Sequence, residues 1–319
     1  MILEIRHETR FEYTEPVTEA ICEMRMEPRS DEGQSCHSFH LALRPTAERF
    51  RYQDGFDNVV HHFNVLAPHA EVRLRAASVV LTHRERPAIE RSAARLPIDP
   101  ATLELEPLQF LALGGPVREG ANIEPVLAPV RGAEGTRVID AALATARHIH
   151  EKFEYAPQVT HASSPIDHVL EEGKGVCQDF AHLMLAMLRT QGIPARYVSG
   201  YLHRPGRESQ SHAWVDVWVP DLGWVGIDPT NDCLVDGNFV SVALGRNFND
   251  VPPNKGVYRG TSGEAIFVRV ETKELSALPP LSWQEQLPSL QAPLAAIASR
   301  PRWAGGKTEM EQQQQQQQQ

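Results

Sequence analysis

The sequence predicts an α+β fold, in which an antiparallel, β-sandwich-like domain comes first and a core of helices and strands follows. Two patterns carry this prediction. Over roughly the first 90 residues, apolar and charged side chains alternate with the period of two that is typical of half-buried strands. From residue 136 onward, apolar residues first recur every three or four positions, as in amphipathic helices, and strand-like alternation then returns.

The first strand shows the alternation most clearly. Apolar residues occupy odd positions and charged residues occupy even positions. The apolar residues are Leu3, Ile5, Phe11 and Tyr13, and the charged residues are Glu4, Arg6, Glu8, Arg10 and Glu12. The pattern returns at 22–26, 39–43 and 72–80, with a turn signal at Asp54-Gly55. Several short strands at this spacing predict an antiparallel sandwich. The region contains no cluster of catalytic residue types, so we expect it to be a regulatory or docking module.

The second part of the chain combines helices with strands. Helical stripes run over 138–153 and 180–188, and Gly192 and Pro194 end the second one. Strand patterns follow at 195–202, 212–219 and 224–228. These changes of character divide the chain into four segments: a β-rich domain 1–90, a connecting region 91–135, a core 136–275 and a Pro/Ala-rich, partly disordered tail 276–319 that ends in eight glutamines.

Length, charge and cysteine usage narrow the class of protein. A chain of 319 residues favours two domains. The sequence contains no run of about 18 apolar residues, so no membrane-spanning helix is predicted. The net charge of −10 argues against nucleic acid or an anionic membrane as a partner. The first residues lack the pattern of an export signal, so we expect a cytoplasmic protein. The four cysteines match neither a metal-ligand spacing nor a disulfide framework.

One of these cysteines lies where a helix is predicted to begin. Cys177 follows the Gly173-Lys174-Gly175 stretch and directly precedes the second helical stripe. Unpaired N–H groups and the helix dipole at such a position stabilise a thiolate and could hold an oxyanion. On this context alone, a reactive thiol and a small buried residue remain equally good readings of Cys177.

The predicted hairpin 212–228 offers a base and an acceptor for such a thiol in His212 and Asp228, although each taken alone is also explained, His212 by packing and Asp228 as a strand-end cap before Pro229. A thiolate nucleophile needs a base, and the base needs an acceptor that fixes its tautomer. His212 and Asp228 meet only if they share a face. Residues that are directly opposite each other in a hairpin share a face, and faces alternate along each strand. Because 212 and 228 are both even, the residue numbers of any such pair must therefore add up to an even number. This parity predicts an odd loop or a bulge between Trp218 and Trp224, with Asp228 touching His212.

Three blocks together resemble the bacterial transglutaminase-like superfamily. They are G-K-G-V-C before a helix with G-I-P-A-R and G-Y after it, then H-A-W on a strand, then D-P-T-N. The resemblance covers about residues 136–240, and the β-rich segment looks like the domain that commonly precedes this core. It implies a papain-like core, with the nucleophile's helix packed on an antiparallel sheet. It also implies Cys177 as nucleophile, His212 as general base and Asp228 as orienting acid, with no cofactor or metal.

The resemblance leaves several roles open. Tyr155 and Gln178 are candidates for an oxyanion or substrate contact, and each is also explained by packing or by the helix dipole. Asp216 competes weakly with Asp228, because it lies on the same strand face as His212 but four residues away.

The expected activity is acyl transfer on peptide or protein amide bonds through a thioester. We favour hydrolysis, as by a peptidase or amidase, over transamidation. A non-catalytic binding or assembly protein on the same fold is the alternative. A zinc site made of Cys177, His212 and Asp228 is a third reading, weakened by the lack of a fourth ligand. Substrate identity and oligomeric state are left open.

Overall fold

The fold is taken from a computed structural model of the chain, which describes residues 1–117, 122–157, 165–206 and 210–280. Most of the predicted tail, residues 281–319, therefore lies outside the described residues. Among the described residues, no helix has both the length and the apolar character needed to cross a bilayer.

The secondary-structure elements follow the predicted division into a β-rich first part and a mixed second part. The strands are β1 Ile2–Val17, β2 Glu19–Met24, β3 Gln34–Arg44, β4 Arg49–Gln53, β5 Val59–Val65, β6 His69–Thr82, β7 Glu154–Tyr155, β8 Lys174–Gly175, β9 Ala195–Leu202, β10 Gln210–Val219, β11 Gly223–Asp228, β12 Cys233–Leu234, β13 Phe239–Gly245, β14 Asn254–Arg259 and β15 Glu264–Glu274. The helices are α1 Leu105–Leu108, α2 Glu124–Leu127, α3 Val138–Lys152, α4 Ile166–Glu172 and α5 Cys177–Thr190.

Two antiparallel sheets form the N-terminal sandwich. Their strand orders are β15-β1-β6-β3 and β14-β2-β5-β4. The odd residues of β1 point inward, and Leu3 and Ile5 are buried with Met24 and Phe63 of the other sheet. The alternation predicted from the sequence is thus confirmed as the pattern of a strand with one buried face.

The sandwich is completed by strands from the far end of the chain. β15 pairs with β1 from Leu3 opposite Glu274 to Tyr13 opposite Glu264, and β14 pairs with β2. The segment 136–275, expected to form the core alone, therefore divides near residue 254. The sequence contains no local signal for this return, because it joins residues about 260 positions apart.

The core is a five-stranded antiparallel sheet with the order β12-β11-β10-β9-β13. Helix α5 packs on one face, where Val215, Val217 and Val219 of β10 join its buried apolar residues. Phe110 of the connecting region lies on the opposite face beside Trp214. The packing of α5 on this sheet is the arrangement that the resemblance implied.

Two side-chain amides join the sandwich to the edge of the core sheet. Gln34 accepts from the Ser241 N–H at 2.7 Å and donates to the Ser241 carbonyl at 2.8 Å. Asn58 makes the same pair of bonds with Leu244, at 2.8 Å each. Both partners lie on β13, an edge strand, so the amides supply the hydrogen bonds that a sixth strand would supply.

Candidate active site

Cys177 is the first residue of helix α5, as the sequence predicted. Val176 before it is extended, and its N–H donates to Asp179 Oδ2 at 2.9 Å, which fixes the first turn. Gly175 allows this turn to close, since a Cβ there would lie about 3 Å from the Asp179 side chain. The thiol is buried, with 1% of the residue exposed.

The β10–β11 hairpin brings His212 and Asp228 together. Trp218 pairs with Trp224 and Val219 with Gly223, so the loop has three residues and the register sum is even. Gly223 has φ +78°, which is the left-handed region that favours glycine. His212 Nε2 lies 2.8 Å from Asp228 Oδ2. The parity prediction of an odd loop with contact between these two side chains is confirmed.

The Asp228 carboxylate is held as an anion although it is fully buried. Burial alone would raise its pKa, but His212, the Asn231 side chain and the Thr230 N–H together lower it. Oδ1 accepts from the backbone N–H groups of Thr230 at 2.8 Å and Asn231 at 3.3 Å. The carboxylate therefore presents Oδ2 to the imidazole in one fixed orientation.

His212 is a much stronger base than an ordinary histidine. Burial opposes its charged form, but the charge of Asp228 and hydrogen bonds with Asp228 and Cys177 outweigh burial and raise the pKa of His212 to about 10. Because Nε2 is engaged by Asp228, Nδ1 is the ring nitrogen left for the thiol. The arrangement can take a proton from Cys177 and hold it as an imidazolium.

An open groove leads to His212. Among the residues that the structure describes, seven line it: Tyr155, Leu202, Arg204, Ser211, His212, Thr230 and Asn231. It continues into a second opening that shares Leu202, Arg204 and Asn231. The lining residues come from the second part of the chain, so the N-terminal sandwich contributes none of them.

Tyr155 and Gln178, the two candidate contact residues, lie in different surroundings. Tyr155 is on β7, which pairs in parallel with β8 just before Cys177, and its ring is on the groove wall. Burial and the nearby Cys177 raise the pKa of the Tyr155 hydroxyl. Gln178 is the second residue of α5 and fully buried, and it is not among the described residues that line the groove.

Asp216 is paired with Arg196 of the neighbouring strand β9. Its carboxylate accepts from Arg196 at 3.1 Å, and Arg196 stacks on the Trp224 ring. The Asp216–Arg196 pair lies closer to the hairpin loop than the contact between His212 and Asp228, so Asp216 does not complete the site. Within the described ranges, no three His, Cys, Asp or Glu side chains are grouped to hold a metal ion, and the zinc reading gains no support.

Two residues at the site were not singled out from the sequence. Asn231 donates through Nδ2 to Asp228 Oδ2, and Arg204 donates to Asn231 Oδ1. Asn231 was quoted only as the last letter of D-P-T-N. Arg204 belongs to no motif, and only the fold brings it to Asn231 from 27 residues away.

Comparison with known proteins identifies relatives over most of the chain. Residues 126–229 match the family model of the transglutaminase-like superfamily, and residues 3–81 match that of the bacterial transglutaminase-like N-terminal region. An uncharacterized protein of Mycobacterium leprae is 35% identical over 288 residues, covering 86% of this chain and 99% of its own.

Two further likenesses are partial or distant. A protein-glutamine gamma-glutamyltransferase of Pseudomonas aeruginosa is 38% identical over 95 residues, which cover 26% of this chain and 14% of that protein. A solved structure from Cytophaga hutchinsonii, described as a candidate cysteine protease, superposes with a TM-score of 0.71 at 18% identity. It covers 88% of this chain and 93% of its own, and this likeness shows the shared fold.

Proposed function

Because the chain belongs to the transglutaminase-like superfamily, we propose that it is a cysteine-dependent acyl-transfer enzyme acting on peptide or protein amide bonds. One observation supports this proposal most strongly. His212 Nε2 lies 2.8 Å from a buried Asp228 oxygen, and its side chain is hydrogen bonded to Cys177 at a helix start. These hydrogen bonds support the proposed roles of Cys177 as nucleophile, His212 as base and Asp228 as orienting acid.

The first half of the reaction forms a thioester. The Cys177 thiolate attacks the amide carbonyl carbon, and a C–S bond forms while the carbonyl oxygen takes the negative charge. As the C–N bond breaks, the His212 imidazolium gives its proton to the departing amine. Asp228 keeps the imidazole oriented and stabilises its charged form throughout.

The negative oxygen needs donors in this proposal. The N–H of Cys177 is at the start of α5, where intrahelical acceptors are missing and the dipole favours negative charge. Tyr155 is our candidate for a second donor, because its raised pKa keeps the hydroxyl protonated and its ring lies on the groove wall. The buried Gln178 side chain would support the turn rather than touch substrate.

We favour hydrolysis for the second half. Water attacks the thioester, His212 accepts its proton, and the acid leaves as Cys177 is regenerated. An amine taking the place of water would give transamidation with the same residues. We further propose a peptide or protein substrate and a reducing, cytoplasmic setting, in which the four cysteines remain free thiols.

A peptide library incubated with the protein in H₂¹⁸O tests the proposal. Hydrolysis predicts new carboxyl termini that carry ¹⁸O, whereas transamidation predicts label-free products joined to an added primary amine. Cys177→Ala should abolish product, and Cys36→Ala, in the N-terminal sandwich, should leave it unchanged. If wild-type protein gives no product and its Cys177 reacts with iodoacetamide no faster than an ordinary thiol, the enzyme reading is wrong and a binding protein remains.

A further inference from the structure

Asn231 contacts both oxygens of the Asp228 carboxylate. Its backbone N–H lies 3.3 Å from Oδ1, and its side-chain Nδ2 donates to Oδ2. The same Nδ2 is 3.5 Å from His212 Nε2, so it lies beside the bond that joins the acid to the base. A single side chain thus borders the one acid–base contact on which the proposed chemistry depends.

The orientation of the Asn231 amide is fixed by Arg204. An asparagine amide can present either its NH₂ group or its oxygen to a neighbour. Arg204 Nη2 donates to Asn231 Oδ1, and this donor holds the oxygen on the arginine side and the NH₂ group on the carboxylate side. In the flipped orientation, the amide oxygen would face the Asp228 anion and repel it.

We propose that Asn231 is a positioning residue for the triad, and that Arg204 acts through it by fixing the amide. This inference rests on the proposed function of Cys177, His212 and Asp228. Asn231 keeps Oδ2 directed at His212 Nε2, which leaves Nδ1 of the ring toward the thiol. Without the amide, only the two backbone N–H bonds to Oδ1 hold the carboxylate, so Oδ2 is less firmly directed at the ring and the imidazolium loses part of its stabilisation.

A small thiol reagent separates this role from substrate binding. Arg204 and Asn231 also line the groove, so a peptide substrate would report on both effects together. Iodoacetamide needs only an accessible thiolate, and the fraction of Cys177 present as thiolate depends on the imidazolium that faces it. The rate of Cys177 alkylation is therefore measured from pH 5 to pH 10, with labelled peptides identified by mass.

Asn231→Ala should move the midpoint of the pH profile for Cys177 alkylation upward by about one unit, and at pH values well below both midpoints it should slow alkylation about tenfold. Arg204→Gln, which leaves every direct contact of Asp228 intact, should shift both quantities in the same direction by a smaller amount. Asp232→Asn is the matched control, because it lies in the same turn but its carboxylate contacts Arg147. It should behave as wild type.

The outcomes are distinct. If wild-type Cys177 is activated but Asn231→Ala alkylates within twofold of it, the positioning role is wrong and the triad stands. A midpoint that moves downward would also overturn it, because Asn231 would then only compete with His212 for the carboxylate. If wild-type Cys177 itself behaves as an ordinary thiol, the proposed function fails and this inference with it. Should Asn231→Ala fail to fold, Arg204→Gln carries the same test, and its lack of effect would refute the coupling.

Discussion

Gln34 is the side chain whose loss should do most damage to the joint between the sandwich and the core sheet. Its amide bonds both the N–H and the carbonyl of Ser241, and it also donates to the Arg29 carbonyl at 2.8 Å. Arg84 donates to its oxygen at 3.3 Å. Gln34 is fully buried and Ser241 is 5% exposed, so bulk water does not reach these groups. The perturbation is Gln34→Ala.

The cost follows from the groups left without partners. The mutation strips the buried Ser241 N–H of its acceptor and the part-buried Arg29 carbonyl of its Gln34 donor, and each such group costs about 1–3 kcal/mol when its bond is lost. The Ser241 carbonyl keeps the Arg29 N–H as a donor at 3.1 Å. Water entering the vacated polar space recovers part of this cost. We expect the free energy of unfolding to fall by about 3 kcal/mol. At about 2–4 °C per kcal/mol, that corresponds to a Tm lower by about 6–12 °C.

Thermal and urea unfolding of the full chain measure this change. Gln53→Ala is the control, because Gln53 is exposed on the edge strand β4. Its effect should stay within about 0.5 kcal/mol. If Gln34→Ala is no less stable than Gln53→Ala, the Gln34 amide does not act as a substitute strand, and the joint depends on its other contacts, the Asn58 amide among them.

Three further predictions concern the core. Asp228→Asn should lower Cys177-dependent activity about 10²–10⁴-fold while Asp216→Asn changes it less than about threefold, by peptide cleavage assay; equal losses would contradict the assignment. Gly200→Ala should prevent stable folding, because its Cβ would lie 2.0 Å from the Val240 carbonyl oxygen, and soluble, cooperatively unfolding protein would refute this. Because the pKa of His212 is raised to about 10, its contribution to stability is fully present below about pH 6.5 and is lost as the pH rises to about 10. The difference in free energy of unfolding between wild type and His212→Gln should shrink over that window, and a constant difference would be evidence against the buried ion pair.

The sequence determined the local structure of the candidate site. The alternation of apolar and charged residues predicted strand β1, and the apolar stripe that ends at Gly192 predicted helix α5. The even numbers of His212 and Asp228 required an odd hairpin loop, which the structure has. These features are predictable because each is decided by neighbours within about 16 residues along the chain. Steric periodicity and turn chemistry act over that range.

Only the tertiary structure decided which distant segments meet. The return of β15 to β1, the amide of Gln34 on the edge of β13, and the meeting of Arg204 with Asn231 leave no periodic trace in the sequence. A strand edge or a side-chain amide can bond any partner of suitable geometry. The conformational preferences of the neighbouring residues therefore do not identify that partner. The choice is made by burial of the whole sandwich and core, which requires these polar groups to be bonded once water is excluded.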